Sequence, residues 1–246
     1  MTDQSKYDAL FSGVIGKDYE LLNLICPSAT QMSRLVGGAV AEYAEQAQAN
    51  LAVVELGGGT GITTLALLSA SDKLNIISVD NEPVMQEQAK KNLQQWAAEG
   101  KLVFCGDDAL TALNNLDGGS VDIIASAYTL HNFLDHYRSD VIQEIFRVLK
   151  PGGQFINGDR YALDDISLHT RTIQDEISGY FKVLVELNKM DVLEHWIVHL
   201  FSDESENHAM RESVALKQLQ DAGFSAINLS HRLAVNALVT AQKPTL

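Results

Sequence analysis

A short glycine-rich turn constrains the fold of this chain more than any other stretch of its sequence. An apolar run from Val53 ends in E-L-G-G-G-T-G at residues 55–61, and an amphipathic helical pattern starts directly afterwards at Ile62. Glycine permits positive φ angles and lets a ligand approach the backbone, while the following helix offers unpaired N–H groups. The stretch therefore predicts a strand, a tight turn and a helix that bind a nucleotide-like ligand.

The residues of this turn narrow the kind of ligand. A dinucleotide fingerprint requires glycine or alanine where Ile62 stands, and a phosphate-binding P-loop requires a Gly-Lys-Ser/Thr sequence that the turn lacks. Glu55 comes just before the turn, where a carboxylate would repel a pyrophosphate. The turn thus favours a cationic ligand without phosphates.

Strand and helix patterns alternate from residue 51 onwards. Such alternation, with near-continuous apolar strands, is typical of a parallel sheet covered by helices on both faces. The 246 residues suffice for one domain of this kind. The predicted strands are Leu51–Leu56, Leu74–Val79, Leu102–Cys105, Val121–Ser126, Gln154–Asn157, Phe224–Leu229 and Leu233–Ala241, and the predicted helices cover 62–70, 84–98, 108–115, 137–149 and 213–222.

Two helical additions accompany this alternation. Residues 1–47 predict an N-terminal helical arm, in which Tyr19 is a candidate for closing over a ligand. Residues 48–246 predict the ligand-binding domain, with a helical insertion at about 163–210. The predicted fold is α/β, with a doubly wound, mostly parallel seven-stranded sheet, an N-terminal helical arm and a helical insertion after the fifth strand.

Acidic residues follow successive predicted strands. Asp80 and Asn81 come after the second strand, about twenty residues beyond the glycines, where a carboxylate can accept hydrogen bonds from ribose hydroxyls. Asp107 and Asp108 come after the third strand, where an aspartate could accept from an adenine amino group. Each acid alone could simply cap a helix. Their recurrence at the carboxyl ends of neighbouring strands favours a shared ligand site.

With these motifs in order, residues 51–160 resemble the core of the class I S-adenosylmethionine-dependent methyltransferases, which have a Rossmann-like fold. The similar motifs are E-L-G-G-G-T-G, S-V-D-N, G-D-D-A and V-L-K-P-G-G. The resemblance implies S-adenosyl-L-methionine as cofactor and S-adenosyl-L-homocysteine as product. The cofactor-binding residues it implies are Glu55, Gly57, Gly59 and Gly61 on the methionine side, Asp80 and Asn81 at the ribose, Asp107 and Asp108 at the adenine, and Ser126 at the fourth strand.

The expected activity is methyl transfer to a small molecule, with an oxygen acceptor favoured over nitrogen or carbon. His131 follows the fourth strand by a few residues and could take the proton of a hydroxyl as its oxygen attacks, while Tyr128 would position the acceptor. In the alternative interpretation His131 only holds the loop, and the enzyme acts by alignment.

The resemblance implies that the insertion at about 163–210 forms a lid over the substrate, so its residues could line the acceptor pocket. Trp196 and His199 are candidates for this role, with ordinary helix packing as the competing interpretation. Glu194, His195 and His199 share a helical segment, but they do not form an H-E-x-x-H motif, and no third ligand can be named. We therefore predict no metal site.

Two other functions stay open. The chain is also similar to carboxy-S-adenosylmethionine synthase, although Gln218 stands where that family has the arginine that holds the added carboxylate. The other alternative is a non-catalytic cofactor-binding partner of another enzyme.

The charge of the chain limits its partners. A formal net charge of −14 opposes binding to nucleic acid, whose affinity depends on Lys and Arg, and so favours a small-molecule substrate. The sequence shows no signal-peptide pattern and no apolar run of membrane-spanning length, so a cytoplasmic protein without membrane contact is expected. Cys26 and Cys105 lack metal or redox spacing and are expected to be buried, reduced thiols. A homodimer is compatible with the sequence.

Overall fold

The computed structural model describes residues 23–24 and 26–245. Tyr19 and most of the first half of the predicted N-terminal arm lie outside the described residues. Within this part of the chain, no helix is both long and apolar enough to cross a membrane.

A seven-stranded sheet forms the centre of the domain, as predicted. Its strands lie in the order β3-β2-β1-β4-β5-β7-β6. The first five pair in parallel, while β7 is antiparallel to both β5 and β6. In chain order the strands are β1 (Leu51–Leu56), β2 (Leu74–Val79), β3 (Leu102–Cys105), β4 (Val121–Ala127), β5 (Leu149–Arg160), β6 (Ser225–Leu233) and β7 (Asn236–Gln242).

Nine α-helices surround the sheet in the part of the chain that the structure describes. They are α1 (Pro27–Glu45), α2 (Ile62–Ala70), α3 (Pro83–Asn92), α4 (Gln94–Ala98), α5 (Ala109–Asn114), α6 (Asp135–Val148), α7 (Ile166–Glu186), α8 (Met190–Asp203) and α9 (Glu212–Ala222). The predicted helix at 84–98 is two helices, because the chain leaves helical geometry at Leu93, which is completely buried. The predicted insertion contains α7 and α8.

Strand bounds differ from prediction mainly at β5 and in the final hairpin. Strand β5 begins at Leu149 and continues to Arg160, although Pro151-Gly152-Gly153 reads as a turn in the sequence. Residues 149–153 are held by pairing of Leu149 with Val121 of β4 and by backbone hydrogen bonds of Gly152 and Gly153 with Lys243, and pairing with β7 continues the strand from Gln154 to Arg160. Tertiary hydrogen bonding therefore overrides the local turn signal.

Consecutive strand residues face opposite sides of the sheet and enter two different cores. Val54 and Ile124 pack with helices α5, α6 and α9 on one face. Val53 and Ile123 pack with α1 and α2 on the other. Both faces are thus covered, as the apolar strands predicted.

Helix α1 is held tightly against the sheet at Gly158. A Cβ atom at Gly158 would lie 3.0 Å from Met32 Cβ and from Val36 Cγ2, so this close approach requires glycine. A third, smaller core joins the start of α1 to α7 and α8 through Cys26, Tyr180, Leu184 and Leu200. This packing brings the start of α1 and the two inserted helices to the same end of the sheet.

Candidate active site

The glycine turn after β1 has the geometry that its sequence predicts. Gly57, Gly59 and Gly61 have φ angles of +73°, +53° and +96°, a region that other residues rarely enter. A Cβ at Gly57 would lie 1.9 Å from Thr129 Oγ1 in the loop after β4, so only glycine fits at this position. A Cβ at Gly59 would meet no atom within 4 Å, so the space beside Gly59 is open.

Asp80 connects the end of β2 to this turn. Its Oδ2 accepts a hydrogen bond of 2.6 Å from the backbone N–H of Gly59, and its Oδ1 accepts one of 2.8 Å from Glu82 N–H. The carboxylate expected at the ribose therefore also holds the glycine turn in place.

A cleft of about 980 Å³, here the strand-end cleft, lies outside the carboxyl ends of β1 to β4. Of the predicted site residues, it is lined by Gly57, Gly59, Asp80, Asn81, Asp107, Asp108, Tyr128 and His199. Residues that the sequence analysis missed include Glu82, Met85, Thr129, Asn132, Phe133 and Tyr137. The acids of successive strands thus meet in one space.

Three predicted cofactor residues lie beneath this surface instead of lining it. Glu55 is completely buried, and its Oε2 accepts a hydrogen bond of 2.6 Å from Thr64 Oγ1. Burial raises the pKa of Glu55 to about 7. Ser126 is also completely buried and donates to the Leu56 carbonyl, and the position of a Cβ on Gly61 faces Leu93. Sequence spacing could not separate residues that support the turn from residues that face the ligand.

Asp108 combines a capping role with a position in the strand-end cleft. Its carboxylate accepts hydrogen bonds from Thr111 Oγ1 and from the backbone N–H groups of Leu110 and Thr111 at the start of α5, and also from the Tyr137 hydroxyl. The hydrogen bonds from Thr111 lower the pKa of Asp108 to about 2. Asp107 is exposed beside Cys105, which is half-buried where full burial was expected.

Strand β4 ends in a strained loop. Tyr128 has a φ angle of +52°, which is unfavourable for a bulky side chain and tends to persist only where the surroundings hold it. Its hydroxyl donates to Asn236 Oδ1 at the start of β7. The loop then forms a 3₁₀ turn, Leu130–Asn132, that contains His131.

His131 is fixed by a completely buried aspartate that the sequence analysis missed. His131 Nδ1 lies 2.5 Å from Asp159 Oδ1 near the end of β5. Burial alone would raise the pKa of Asp159, but His131 and hydrogen bonds from Arg160 N–H and Asn157 outweigh it and lower the pKa. Because Asp159 holds Nδ1, the free nitrogen of the imidazole is Nε2. The detectable signal was an acid at the end of the fifth strand, in N-G-D-R.

A second cavity of about 160 Å³, here the inner pocket, lies beside His131. It shares Tyr128, Asn132 and His199 with the strand-end cleft. Its other lining residues are Cys26, Ala29, His131, Arg160, Tyr180, Trp196, Leu200 and Asp203. Trp196 and His199 both line this cavity, and their assignment to an acceptor pocket stays a prediction. Cys26, Arg160, Tyr180 and Asp203 come from segments that no motif marked.

The charge of Arg160 in the inner pocket is already neutralised. Its guanidinium binds both carboxylate oxygens of Glu176 at 2.8 and 3.2 Å, and it also contacts Glu204 at 3.4 Å. Burial would lower the pKa of Arg160, but Glu176 raises it. Glu176 also accepts a hydrogen bond from the hydroxyl of Tyr180, which lies on the same helix. The ion pair between Arg160 and Glu176 thus connects β5 to α7.

A group of potential metal ligands differs from the one considered from sequence. His131 Nε2 lies 3.8 Å from Asp203 Oδ2, and His199 Nε2 lies 3.6 Å from the same oxygen. The structure therefore joins His199 to His131 and Asp203, and not to Glu194 and His195. The three ligand atoms lie within 4.8 Å of one another.

A match to a known protein family covers the part of the chain that forms most of the strand-end cleft. Residues 53–153 match the family described as "Methyltransferase domain". This stretch contains the glycine turn and the acids at the ends of β2 and β3. Residues 53–153 are therefore similar to class I S-adenosylmethionine-dependent methyltransferase domains. The open backbone at Gly59 and the carboxylate of Asp80 fit S-adenosylmethionine as the cofactor.

Two kinds of enzyme are among the relatives of this chain. A demethylmenaquinone methyltransferase from Leptospira interrogans is 37% identical over 49% of this chain and 47% of its own length. A carboxy-S-adenosyl-L-methionine synthase from Campylobacter lari is 22% identical over 91% of this chain and 88% of its own length. The chain thus matches about half the length of the first relative.

The fold extends beyond the methyltransferase domain match. An O-methyltransferase family protein from Burkholderia thailandensis superimposes on 99% of this chain and 61% of its own length, with a TM-score of 0.65 and 18% identity. At that identity the likeness shows the fold alone. It includes the added helices that form the inner pocket.

Proposed function

We propose that the protein transfers a methyl group from S-adenosylmethionine to a hydroxyl group of a small molecule bound in the inner pocket. The observation that carries this proposal is the wall of Tyr128, Asn132 and His199, which the inner pocket shares with the strand-end cleft. A donor in the cleft and an acceptor in the pocket would then meet at His131.

Residues of the strand-end cleft are suited to hold the cofactor by its parts. Asp80 would accept from the ribose hydroxyls, Asp107 would contact the adenine amino group, and the glycine turn would leave room for the methionine portion. None of the described residues that line this cleft is Lys or Arg. The cleft therefore favours a cationic sulfonium over a phosphate-bearing nucleotide. When bound, S-adenosylmethionine supplies an electrophilic methyl group.

The inner pocket would align the acceptor and keep water away from it. Its volume of about 160 Å³ is small, and Tyr180, Trp196 and Leu200 give it apolar walls. Alignment and exclusion of water provide much of the catalysis in a direct displacement. A compact acceptor with an apolar body is the chemistry that fits.

His131 would be the residue through which the acceptor loses its proton. Asp159 fixes the ring through Nδ1 and leaves Nε2 as the nitrogen available to an acceptor. Such an oriented imidazole is the usual arrangement for proton transfer at an oxygen nucleophile. The pair of His131 and Asp159 also argues against a protein that only binds the cofactor, because cofactor binding does not require such a pair.

The relative from Campylobacter lari supports a second candidate, a carboxy-S-adenosylmethionine synthase activity. That reaction adds a carboxylate, which requires a cation near the methyl group. In this chain Gln218 binds Asp135 and Ser139 and lines neither cavity, and Arg160 is held by Glu176 and Glu204. Methyl transfer therefore fits the described residues better.

A labelled donor distinguishes these functions. The protein is incubated with methyl-deuterated S-adenosylmethionine and a set of small phenols and alcohols, and the products are examined by mass spectrometry. We expect one labelled methyl group on an oxygen of at least one compound. Tight cofactor binding without any labelled product would contradict the proposal, and a copurified nucleoside with the mass of a carboxylated cofactor would support the synthase instead.

A further inference from the structure

We propose that His131, His199 and Asp203 bind one divalent transition-metal ion of the zinc class in the inner pocket. The inference rests on the proposed function, because it assigns to the ion the task of acidifying the acceptor's hydroxyl group. The zinc-class ion would be bound by two imidazole nitrogens and one carboxylate oxygen, a donor set typical of such sites.

The distances between the ligand atoms suit a shared ion better than hydrogen bonds. The two imidazole Nε2 atoms lie 3.8 and 3.6 Å from Asp203 Oδ2, beyond ordinary hydrogen-bond length. Around a tetrahedral ion with bonds of about 2.1 Å, neighbouring ligand atoms are about 3.4 Å apart. Movements of a few tenths of an ångström would therefore complete both of these contacts.

One ligand is already oriented by a second carboxylate. Metal-binding histidines usually donate their other ring N–H to a carboxylate, which fixes the tautomer and the ring direction. His131 has this arrangement, with Nδ1 held by the completely buried Asp159 at 2.5 Å. Nε2, the nitrogen left available, is the one near Asp203.

Asp203 is buried without a hydrogen bond from the described residues, and its ion-pair partners among those residues are two histidines, at 3.8 and 3.6 Å. Its side chain is only 8% exposed, and among residues 23–24 and 26–245 no donor makes a hydrogen bond to its carboxylate. The guanidinium of Arg160, which lines the same pocket, is bound by Glu176 and Glu204. A buried carboxylate is costly without a counter-charge, and a bound cation supplies one.

The second histidine places the ion at the junction of the two cavities. His199 lines both cavities, so an ion bound to it would lie where acceptor and donor meet. Because the ion would occupy Nε2 of His131, the ion would promote loss of the hydroxyl proton in place of the imidazole, and the proton can pass to water.

Metal content tests the site directly. The full-length protein is stripped with a chelator, loaded with Zn²⁺ or Co²⁺, freed of excess metal and analysed for elements. We expect one ion per chain, a visible spectrum of four-coordinate Co²⁺, and a Tm raised by about 5 °C at hundredfold excess of Zn²⁺ over its Kd. H199A and D203N should each lose the stoichiometric ion and the Tm shift.

A matched control is provided by His195, which lies on the same helix, is exposed and does not belong to the cluster. H195A should bind the ion as the parent does. D203N removes a buried charge that accepts no hydrogen bond from the described residues, so its metal-free form should unfold at the same or a higher temperature than the metal-free parent. Equal metal binding by H199A, D203N and the parent would overturn the inference.

Turnover separates this inference from the proposed function. Removal of the ion should slow methyl transfer by about tenfold or more, and reloading should restore the rate. Full turnover by the stripped protein would overturn the metal inference and leave methyl transfer standing, with His131 itself as proton acceptor. One bound ion in a protein that transfers no methyl group would overturn the proposed function and with it the role assigned to the ion.

Discussion

The strand-end cleft and the inner pocket lie side by side, but they are built in different ways. The cleft is formed largely by backbone turns and acids that follow successive strands of one continuous stretch, residues 57–109, together with the loop after β4. The inner pocket is formed by side chains from α1, β5, α7 and α8, together with the same loop. The first therefore depends on backbone conformation, and the second on how distant helices pack. Substitutions in the two regions should consequently fail in different ways.

The largest expected effect is on the backbone of the cleft. Gly57→Ala would combine left-handed strain with a Cβ placed 1.9 Å from Thr129 Oγ1, whereas Gly59→Ala would have the strain alone. We expect a loss of about 3 to 4 kcal/mol of unfolding free energy for Gly57→Ala and about 1 to 2 kcal/mol for Gly59→Ala. Urea unfolding of both variants measures the difference. Equal losses would mean that the contact with the Thr129 loop does not restrict the turn.

Substitutions in the inner pocket should instead lower the rate of the reaction. His131→Asn should lower kcat by about a hundredfold, because the acceptor loses the nitrogen that Asp159 orients, while the Kd of S-adenosylmethionine stays unchanged. Steady-state kinetics and calorimetry give the two quantities. His136→Asn, an exposed histidine on α6, is the control. A parallel loss of cofactor affinity would show that the two regions are not separable at His131.

Glu55 tests whether the buried support of the glycine turn titrates. Its pKa of about 7 lies above the ordinary 4.5, so the folded protein binds this proton more tightly than the unfolded chain. The stability that Glu55 contributes is therefore full below about pH 4.5 and is lost as pH rises through about 7.

Glu55→Gln keeps the shape of the neutral acid and should remove this pH dependence. The unfolding free energy of the variant minus that of the parent should increase by about 2 to 3 kcal/mol as the pH rises from 5 to 8. Urea unfolding at both pH values measures it, with the exposed Glu99→Gln as control. A constant difference would mean that Glu55 is ionised throughout.

The smallest predicted effect concerns the cleft's contact with the cofactor. Asp80→Ala should raise the Kd of S-adenosylmethionine about tenfold, since a charged acceptor of hydrogen bonds is lost, along with the contact that holds Gly59. Asp72→Ala, at the opposite end of β2, should leave the Kd within about twofold. Calorimetry decides it. A change of less than about threefold for Asp80→Ala would contradict the ribose assignment.

The sequence predicted the sheet and the positions of most strand ends well, because their signals are local. The glycine turn and the acid about twenty residues later each act within a few residues of their position. The parallel order of strands then places the ends together. The prediction was less exact where local signals compete with pairing, as in β5, or where support and contact look alike, as at Glu55.

The inner pocket could not be predicted in the same way. Asp159 and His131 are 28 residues apart, and the two histidines that face Asp203 lie on different elements. Their meeting depends on the packing of α1 against Gly158 and of α8 against α7, which leaves no periodic trace in the sequence. Trp196 and His199 could be proposed only as pocket residues, without partners.

The shared wall of Tyr128, Asn132 and His199 also has a thermodynamic consequence. A ligand in either cavity restricts side chains that the ligand of the other cavity must contact, so their binding free energies cannot be independent. By linkage, any factor by which the donor changes the affinity of the acceptor is matched by the change that the acceptor causes in the affinity of the donor. Donor affinity measured in the absence of acceptor is therefore only one side of a coupled equilibrium.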